Sequence, residues 1–103
     1  MIKKENYPCP IQAVLDIIGG KWKVNILWHI GKDVKRFSQI KGDIPAITKK
    51  MLSQQLKDLE ENGMVTRKIY AEVPARVEYS LTEKGRSILP VMEAMCEWGK
   101  RHL

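Results

Sequence analysis

The segment from Ile44 to Tyr79 constrains the fold of this 103-residue chain more than any other. Its first part has helical periodicity with a polar, basic outer side, and Gly63 ends it. Two runs with strand periodicity follow, one on either side of Pro74. A polar helix followed by a basic β-hairpin is an arrangement that enters a DNA major groove and contacts the flanking backbone. This order of elements predicts a winged helix-turn-helix, in which the hairpin is the wing.

Length and charge agree with a single DNA-binding domain that spans residues 1–103. The chain is 44% hydrophobic and 29% charged, as globular proteins are, and its net charge is +6. The net charge is +2 over residues 1–31, +5 over residues 32–57 and −1 over residues 58–103. A local excess of positive charge, as in residues 32–57, is what phosphate binding requires. The alternative interpretation of the same charge is an ordinary solvated surface.

The remaining hydropathy pattern predicts a mostly helical α+β fold with a small hairpin. We expect the element order helix, helix, strand, helix, helix, strand, strand, helix. Helices are expected to begin at Pro10, Thr48 and Thr82, because of proline at a first helical position and threonine at a cap. The expected elements are helix 10–18, helix 21–30, strand 34–36, helix 37–41, helix 48–62, strand 65–70, strand 77–81 and helix 83–102.

The helix that Thr48 begins has one apolar side and one polar side. Three leucines recur at i, i+4 and i+7 and are expected in the core: Leu52, Leu56 and Leu59. The opposite side carries Lys50, Ser53, Gln54, Lys57 and Glu61. Near the start of the helix, Lys49 and Lys50 can neutralise phosphates, while Gln54 can pair with adenine and Lys50 with guanine acceptors. A helix whose polar side meets only solvent is the alternative interpretation.

The hairpin carries three basic side chains, and we expect Arg76 to lie near its tip. A guanidinium there can enter a narrow minor groove, whereas the alternative is a basic hairpin that only keeps an edge strand soluble. Tyr70 and Tyr79 are expected to pack as cross-strand neighbours. The complete set of predicted DNA contacts, which includes a basic residue of the short strand, is Arg36, Thr48, Lys49, Lys50, Ser53, Gln54, Lys57, Arg67, Lys68 and Arg76.

The two cysteines, Cys9 and Cys96, are the candidates for covalent chemistry. Cys9 precedes Pro10 at an expected helix start, where backbone N–H groups and the helix dipole favour a thiolate. Such a thiol can react with an oxidant or an electrophile, whereas a small buried residue that fills space is the alternative. Cys96 lies on an apolar helix between Met95 and Trp98, so a packing role is expected for it.

The last helix carries more apolar positions than one packed face needs. The surplus requires another surface, most simply a second copy of the protein. The residues of this helix that we expect at such an interface are Leu89, Met92, Met95, Cys96 and Trp98.

The sequence offers little for catalysis or for a membrane. His29 and His102 lie far apart, and the sequence has no HxxxH, CxxC, Gly-rich phosphate loop or nucleophile elbow. We therefore expect no enzyme activity, no metal and no cofactor. No apolar run approaches about 18 residues and residues 1–10 lack a hydrophobic signal region, so a cytoplasmic protein without membrane contact is expected.

A series of short motifs runs through nearly the whole chain. They are Cys9-Pro10, Ile18-Gly19-Gly20-Lys21-Trp22, Lys35-Arg36-Phe37-Ser38-Gln39-Ile40, Ile44-Pro45, Lys50-Met51-Leu52, Gln55-Leu56, Leu59-Glu60, Asn62-Gly63, the run from Glu72 to Thr82, Gly85 and Trp98-Gly99. In this order they resemble the HxlR-type bacterial transcriptional regulators.

The resemblance implies a dimeric winged helix-turn-helix protein, related in fold to MarR-like regulators, that binds a pseudo-palindromic operator. It places the recognition helix at Thr48–Asn62 and the wing at Val65–Leu81. Dimer contacts would come from the N-terminal segment with the first helix, including Ile11 and Leu15, and from the last helix. In some members the cysteine that Cys9 matches senses electrophiles or oxidants, which makes such a small molecule a candidate partner.

Together these features predict a sequence-specific regulator of transcription that binds double-stranded DNA as a homodimer. A thiol switch at Cys9 would add to that function. The alternative, from another functional class, is a winged-helix module that binds proteins instead of DNA. The basic surface of the helix and wing argues against this alternative, because protein binding alone does not need that charge.

Overall fold

A computed structural model describes residues 2–103, so Met1 of the predicted domain lies outside the described residues. The fold is mostly helical with one small antiparallel sheet, which confirms the predicted class. A short 3-10 turn covers Lys4–Asn6. The remaining elements are α1 Pro10–Ile18, α2 Lys23–Ile30, β1 Lys35–Arg36, α3 Phe37–Asp43, α4 Lys49–Glu61, β2 Val65–Tyr70, β3 Arg76–Leu81, α5 Glu83–Ser87 and α6 Leu89–His102.

The core lies where α2, α3, α4 and the sheet meet. The three leucines predicted for the inner side of α4 are at most 1% exposed, which confirms that side as the buried one. They pack with fully buried isoleucine and leucine side chains of the two preceding helices, Ile26, Leu27, Ile30 and Ile40. Because this packing fixes the rotation of α4 about its axis, the polar side of the helix is turned outward.

The sheet has the strand order β1-β3-β2, with both pairs antiparallel. In the hairpin, Arg67 lies opposite Tyr79, and Tyr70 lies opposite Arg76. The expectation that Tyr70 and Tyr79 are cross-strand neighbours is therefore wrong. Arg76 and Tyr70 form the last pair before the turn at residues 71–75, so Arg76 lies near the tip as expected, although it is the first residue of β3 and not part of the turn.

The end of α4 and the start of the wing are joined through residues 62–64. Gly63 has a φ of 72°, a left-handed conformation that glycine adopts without a Cβ clash. The Thr82 hydroxyl donates to the Gly63 carbonyl at 2.6 Å, and the Thr82 N–H donates to the Met64 carbonyl at 3.1 Å. The Lys84 ammonium donates to the Asn62 carbonyl at 2.9 Å. The segment at the end of the sheet thus holds the helix-to-wing turn in place.

The single last helix that the sequence predicts is divided into α5 and α6, with Ile88 between them. Pro90 explains the division. It has no N–H for a bond to the Arg86 carbonyl, and its ring would clash with that carbonyl in a continuous helix. Proline is tolerated in the first turn of a helix, so α6 begins anew at Leu89.

Two helices present apolar side chains that nothing within residues 2–103 covers. In α1, Ile11 is 68% and Leu15 is 50% exposed, and in α6 Met95 and Trp98 are exposed to a similar degree. Met92 departs from the predicted interface set because it belongs to the monomer core and leaves little surface for a partner.

Within residues 2–103, no helix is both long and apolar enough to cross a lipid bilayer.

Candidate nucleic-acid interface

The outer side of α4 is a continuous polar surface. The Thr48 hydroxyl accepts the Met51 N–H at 3.0 Å, which caps the helix as the sequence predicts. Four predicted DNA contacts lie exposed along this side, Lys50, Ser53, Gln54 and Lys57, and Lys49 is exposed at the start of the helix. Within residues 2–103, none of these three lysines has a carboxylate within salt-bridge distance. Their charges are therefore available to an approaching phosphate.

The short strand β1 contributes one exposed cation. Lys35 is paired with Asp43 at 2.5 Å, and its hydrogen bond holds the pKa of that carboxyl below its usual value. Arg36 has an exposed side chain, while its N–H donates to the Gln39 side chain at 2.8 Å. In the described part of the chain no salt bridge involves Arg36. Of the two basic residues, Arg36 is thus the one free to meet an anion.

A cleft of about 310 Å³ separates α4 from the wing. Its lining residues come from both elements: Ser53, Leu56, Lys57, Glu60, Arg67 and Tyr79. Across the cleft, the Arg67 Nε atom lies 3.6 Å from a Glu60 carboxylate oxygen. Tyr79 is half-buried beside this pair, and burial raises the pKa of its phenol. An ion pair therefore connects α4 to the wing.

The other two basic residues of the hairpin lie on its opposite face. Side chains alternate along a strand, so Lys68 and Arg76 point away from the side that carries Arg67. The Arg76 guanidinium stacks 4.0 Å from the Tyr70 ring, and the Lys68 ammonium lies 4.9 Å from the same ring. Arg76 is also 3.3 Å from Glu72 and 3.8 Å from Glu78. In the free protein, carboxylates and an aromatic ring hold Arg76 in place.

The structure thus divides the predicted contact set into two groups. The residues of α4 share one exposed surface, whereas the two wing arginines are each paired with carboxylates.

The sequence did not predict Glu60 as a member of the site. At 100° per residue Glu60 lies about 40° from Leu56 and 100° from Leu59, at the edge of the buried side and away from the centre of the polar side. Its pairing with Arg67 depends on the turn at residues 62–64 and has no sequence signal.

Both cysteines are exposed and neither forms a disulfide within the described residues. Cys9 is the N-cap residue of α1, as predicted, with an exposed side chain, so the alternative of a buried space-filling residue is wrong. Cys96 lines a shallow apolar groove between α2 and α6 together with Trp28 and Met95. Between residues 2 and 103 there is no cluster of three or more His, Cys, Asp or Glu side chains that could hold a metal ion.

Comparison with known proteins places this geometry in a family. The family model described as HxlR-like helix-turn-helix matches residues 17–103. An uncharacterized HTH-type transcriptional regulator of Methanothermobacter thermautotrophicus is 46% identical over 98 residues, which are 95% of this chain and 75% of that protein. The HTH-type transcriptional regulator YtcD of Bacillus subtilis is 44% identical over 102 residues, covering 99% of this chain and 81% of YtcD.

Solved structures agree with the sequence comparison. The redox regulator HypR in its oxidized form superposes with a TM-score of 0.84 at 45% identity, covering 92% of this chain and 98% of HypR. The reduced form of the transcriptional regulator YodB from B. subtilis gives a TM-score of 0.83 at 35% identity, covering 93% of this chain and 95% of YodB. The chain therefore belongs to the HxlR-like helix-turn-helix family, and it is a transcriptional regulator and not an enzyme.

Proposed function

We propose that the protein is a sequence-specific regulator that binds double-stranded DNA as a homodimer on a pseudo-palindromic operator. The observation that carries this proposal is the exposed lysine surface of α4, whose lysines form no salt bridge within residues 2–103, flanked by a wing. In this arrangement α4 enters the major groove, where Gln54 and Lys50 reach base edges and Lys49 and Lys57 contact phosphates. Thr48, Ser53, Arg36 and the wing residues Lys68 and Arg76 complete the proposed contact set, whereas Arg67 is paired with Glu60 in the free protein.

The proposed dimer is formed by the N-terminal segment with α1 and by the last helices, residues 83–102. Support comes from the uncovered apolar side chains of these elements, which would otherwise remain in water. A two-fold dimer places its two recognition helices in successive major grooves about 34 Å apart, which accounts for a palindromic site.

Selection of genomic DNA fragments by the purified protein tests this proposal. We expect enrichment of a palindromic site near a promoter. The competing function is a winged-helix module that binds only proteins, and for that function no DNA site would be enriched. A gel shift with random genomic fragments separates the two functions further, because a protein-binding module would leave every fragment unshifted.

A thiol switch at Cys9 is a second part of the proposal. Cys9 is exposed at the N-cap of α1, so its thiol is accessible to a small oxidant or electrophile. Among the similar structures, HypR is named a redox regulator, and YodB has been solved after diamide treatment and with a bound quinone. Oxidants and electrophiles of these classes are therefore the candidate effectors for this chain.

A further inference from the structure

We propose that Glu60 is a positioning residue that limits the strength and the salt dependence of DNA binding, because its carboxylate withholds the charge of Arg67 from DNA phosphates. This inference rests on the proposed DNA binding and adds a residue to it. Glu60 lies in α4 and Arg67 in β2, and the Arg67 Nε atom is 3.6 Å from a Glu60 carboxylate oxygen. The pair therefore spans the cleft between the two elements that would meet DNA.

The geometry of the cleft holds this pair together. Arg67 lies opposite Tyr79 in the hairpin, so its side chain points to the face of the sheet that packs on α4. Among residues 2–103, Glu60 is the carboxylate residue that lies within 4.0 Å of the Arg67 guanidinium. Lys57 lies one turn earlier on α4 and lines the same cleft, but it is not paired with Glu60 in the described chain.

The position of the pair at the surface decides what it can do. The side chain of Arg67 is 48% exposed and that of Glu60 is 36% exposed, so water and salt screen their attraction. Such pairs contribute little to folding stability. Their larger effect is on a third charge, because a phosphate that approaches Arg67 meets a neutralised cation and a neighbouring anion.

This neutralisation affects binding to DNA of any sequence. Phosphate contacts carry no sequence information, so each one contributes about the same free energy on arbitrary DNA and on the operator. A carboxylate next to a wing arginine therefore lowers both affinities by a similar factor and reduces their dependence on salt. Glu60 thus limits the electrostatic part of DNA binding.

Salt-dependent binding of random-sequence duplexes tests the inference without knowledge of the operator. We expect Glu60→Gln to steepen the slope of log K against log salt concentration by about 0.9, the value for one additional phosphate contact. Affinity would then fall about 3.5-fold more than in the wild type between about 50 and 200 mM salt. Glu61→Gln is the matched control, because it removes the same charge from the next residue of α4, which is exposed and has no salt bridge in residues 2–103.

The role of Arg67 is tested with Arg67→Gln and with the double variant Glu60→Gln/Arg67→Gln. We expect both to keep the wild-type slope, since the effect of Glu60 acts through Arg67. Equal slopes for Glu60→Gln and Glu61→Gln would overturn the inference. A shallower slope for Arg67→Gln alone would also overturn it, because Arg67 would then already contact phosphate. A wild-type protein that binds no duplex even at low salt would overturn the proposed function, and this inference with it.

Discussion

Gly85 shows how one residue without a side chain controls the packing of the wing. A Cβ atom built on Gly85 would lie 2.0 Å from the Met64 carbonyl oxygen and 3.3 Å from the Leu81 Cβ atom. The backbone cannot relax easily at this place, because Met64 is also bonded to Leu59 and Thr82. The close approach of α5 to the start of β2 therefore depends on glycine.

We expect Gly85→Ala to lower the free energy of unfolding by about 3 kcal/mol, the upper part of the range for overpacking. Gly42→Ala in α3 is the matched control, since a Cβ there meets no atom within 4 Å. Alanine at Gly42 should be neutral or stabilise the protein by up to about 1 kcal/mol, because of its higher helix propensity. Urea denaturation of both variants measures the difference, and equal effects would contradict the packing argument.

Cys9 is the residue at which the proposed thiol switch is tested. Diamide or a quinone should lower the DNA affinity of the wild type by about 5- to 150-fold, the usual range for coupling between two sites. Cys9→Ser should keep its affinity under the same treatment, whereas the control Cys96→Ser should respond like the wild type. Gel shifts before and after treatment give the measurement, and unchanged wild-type affinity would remove the switch.

At the scale of single elements, the sequence predicts what periodicity encodes. The cap, the buried leucine side and the end of α4 follow from local spacing, and the structure confirms them. Pairings across the hairpin depend on strand register and on the turn at residues 62–64, which local spacing does not encode. For this reason the sequence grouped Arg67 with Arg76, whereas the structure places them on opposite faces. Pro90 did carry a local signal for the break between α5 and α6.

Two substitutions on the surface of α4 should separate base reading from phosphate binding. Gln54→Ala should reduce discrimination at one base pair by about 1–3 kcal/mol, because it removes a bidentate contact. Lys49→Ala should weaken binding to every sequence and make the salt slope shallower by about 0.9. Competition binding with the operator and a scrambled duplex measures both effects. Equal losses on the two duplexes for Gln54→Ala would refute its role in base reading.

The whole molecule is less compact than a closed domain of its size. Its radius of gyration is 14.5 Å and its extents are 47 × 33 × 23 Å. A compact domain of about 100 residues has a radius of about 13 Å. The larger radius of gyration shows that the chain is extended and not spherical. Helices α1 and α6 carry the uncovered apolar side chains described above. These features suit a chain that completes its packing against a second copy.

Charge placed on that apolar surface should separate the proposed dimer. Leu15→Glu and Met95→Glu should each weaken dimerisation by about 2 kcal/mol or more, the loss expected at a central interface residue. Ile69→Glu in the wing is the control, because Ile69 is also an exposed apolar residue but lies far from these helices in the chain. Sedimentation velocity at several concentrations measures the effect. A dimer that survives both substitutions would place the interface elsewhere.

The turn at residues 62–64 also determines where this chain can change length. Strand side chains alternate between two faces, so one residue inserted after Gly63 would turn the buried Val65 toward solvent and reverse every wing position after it. The turn at residues 71–75 has no such constraint, since all five residues are exposed and Val73 has no covering neighbour. A longer or shorter hairpin is therefore compatible with this fold only at its far end, where the reach of the wing changes and its alignment with the helix does not.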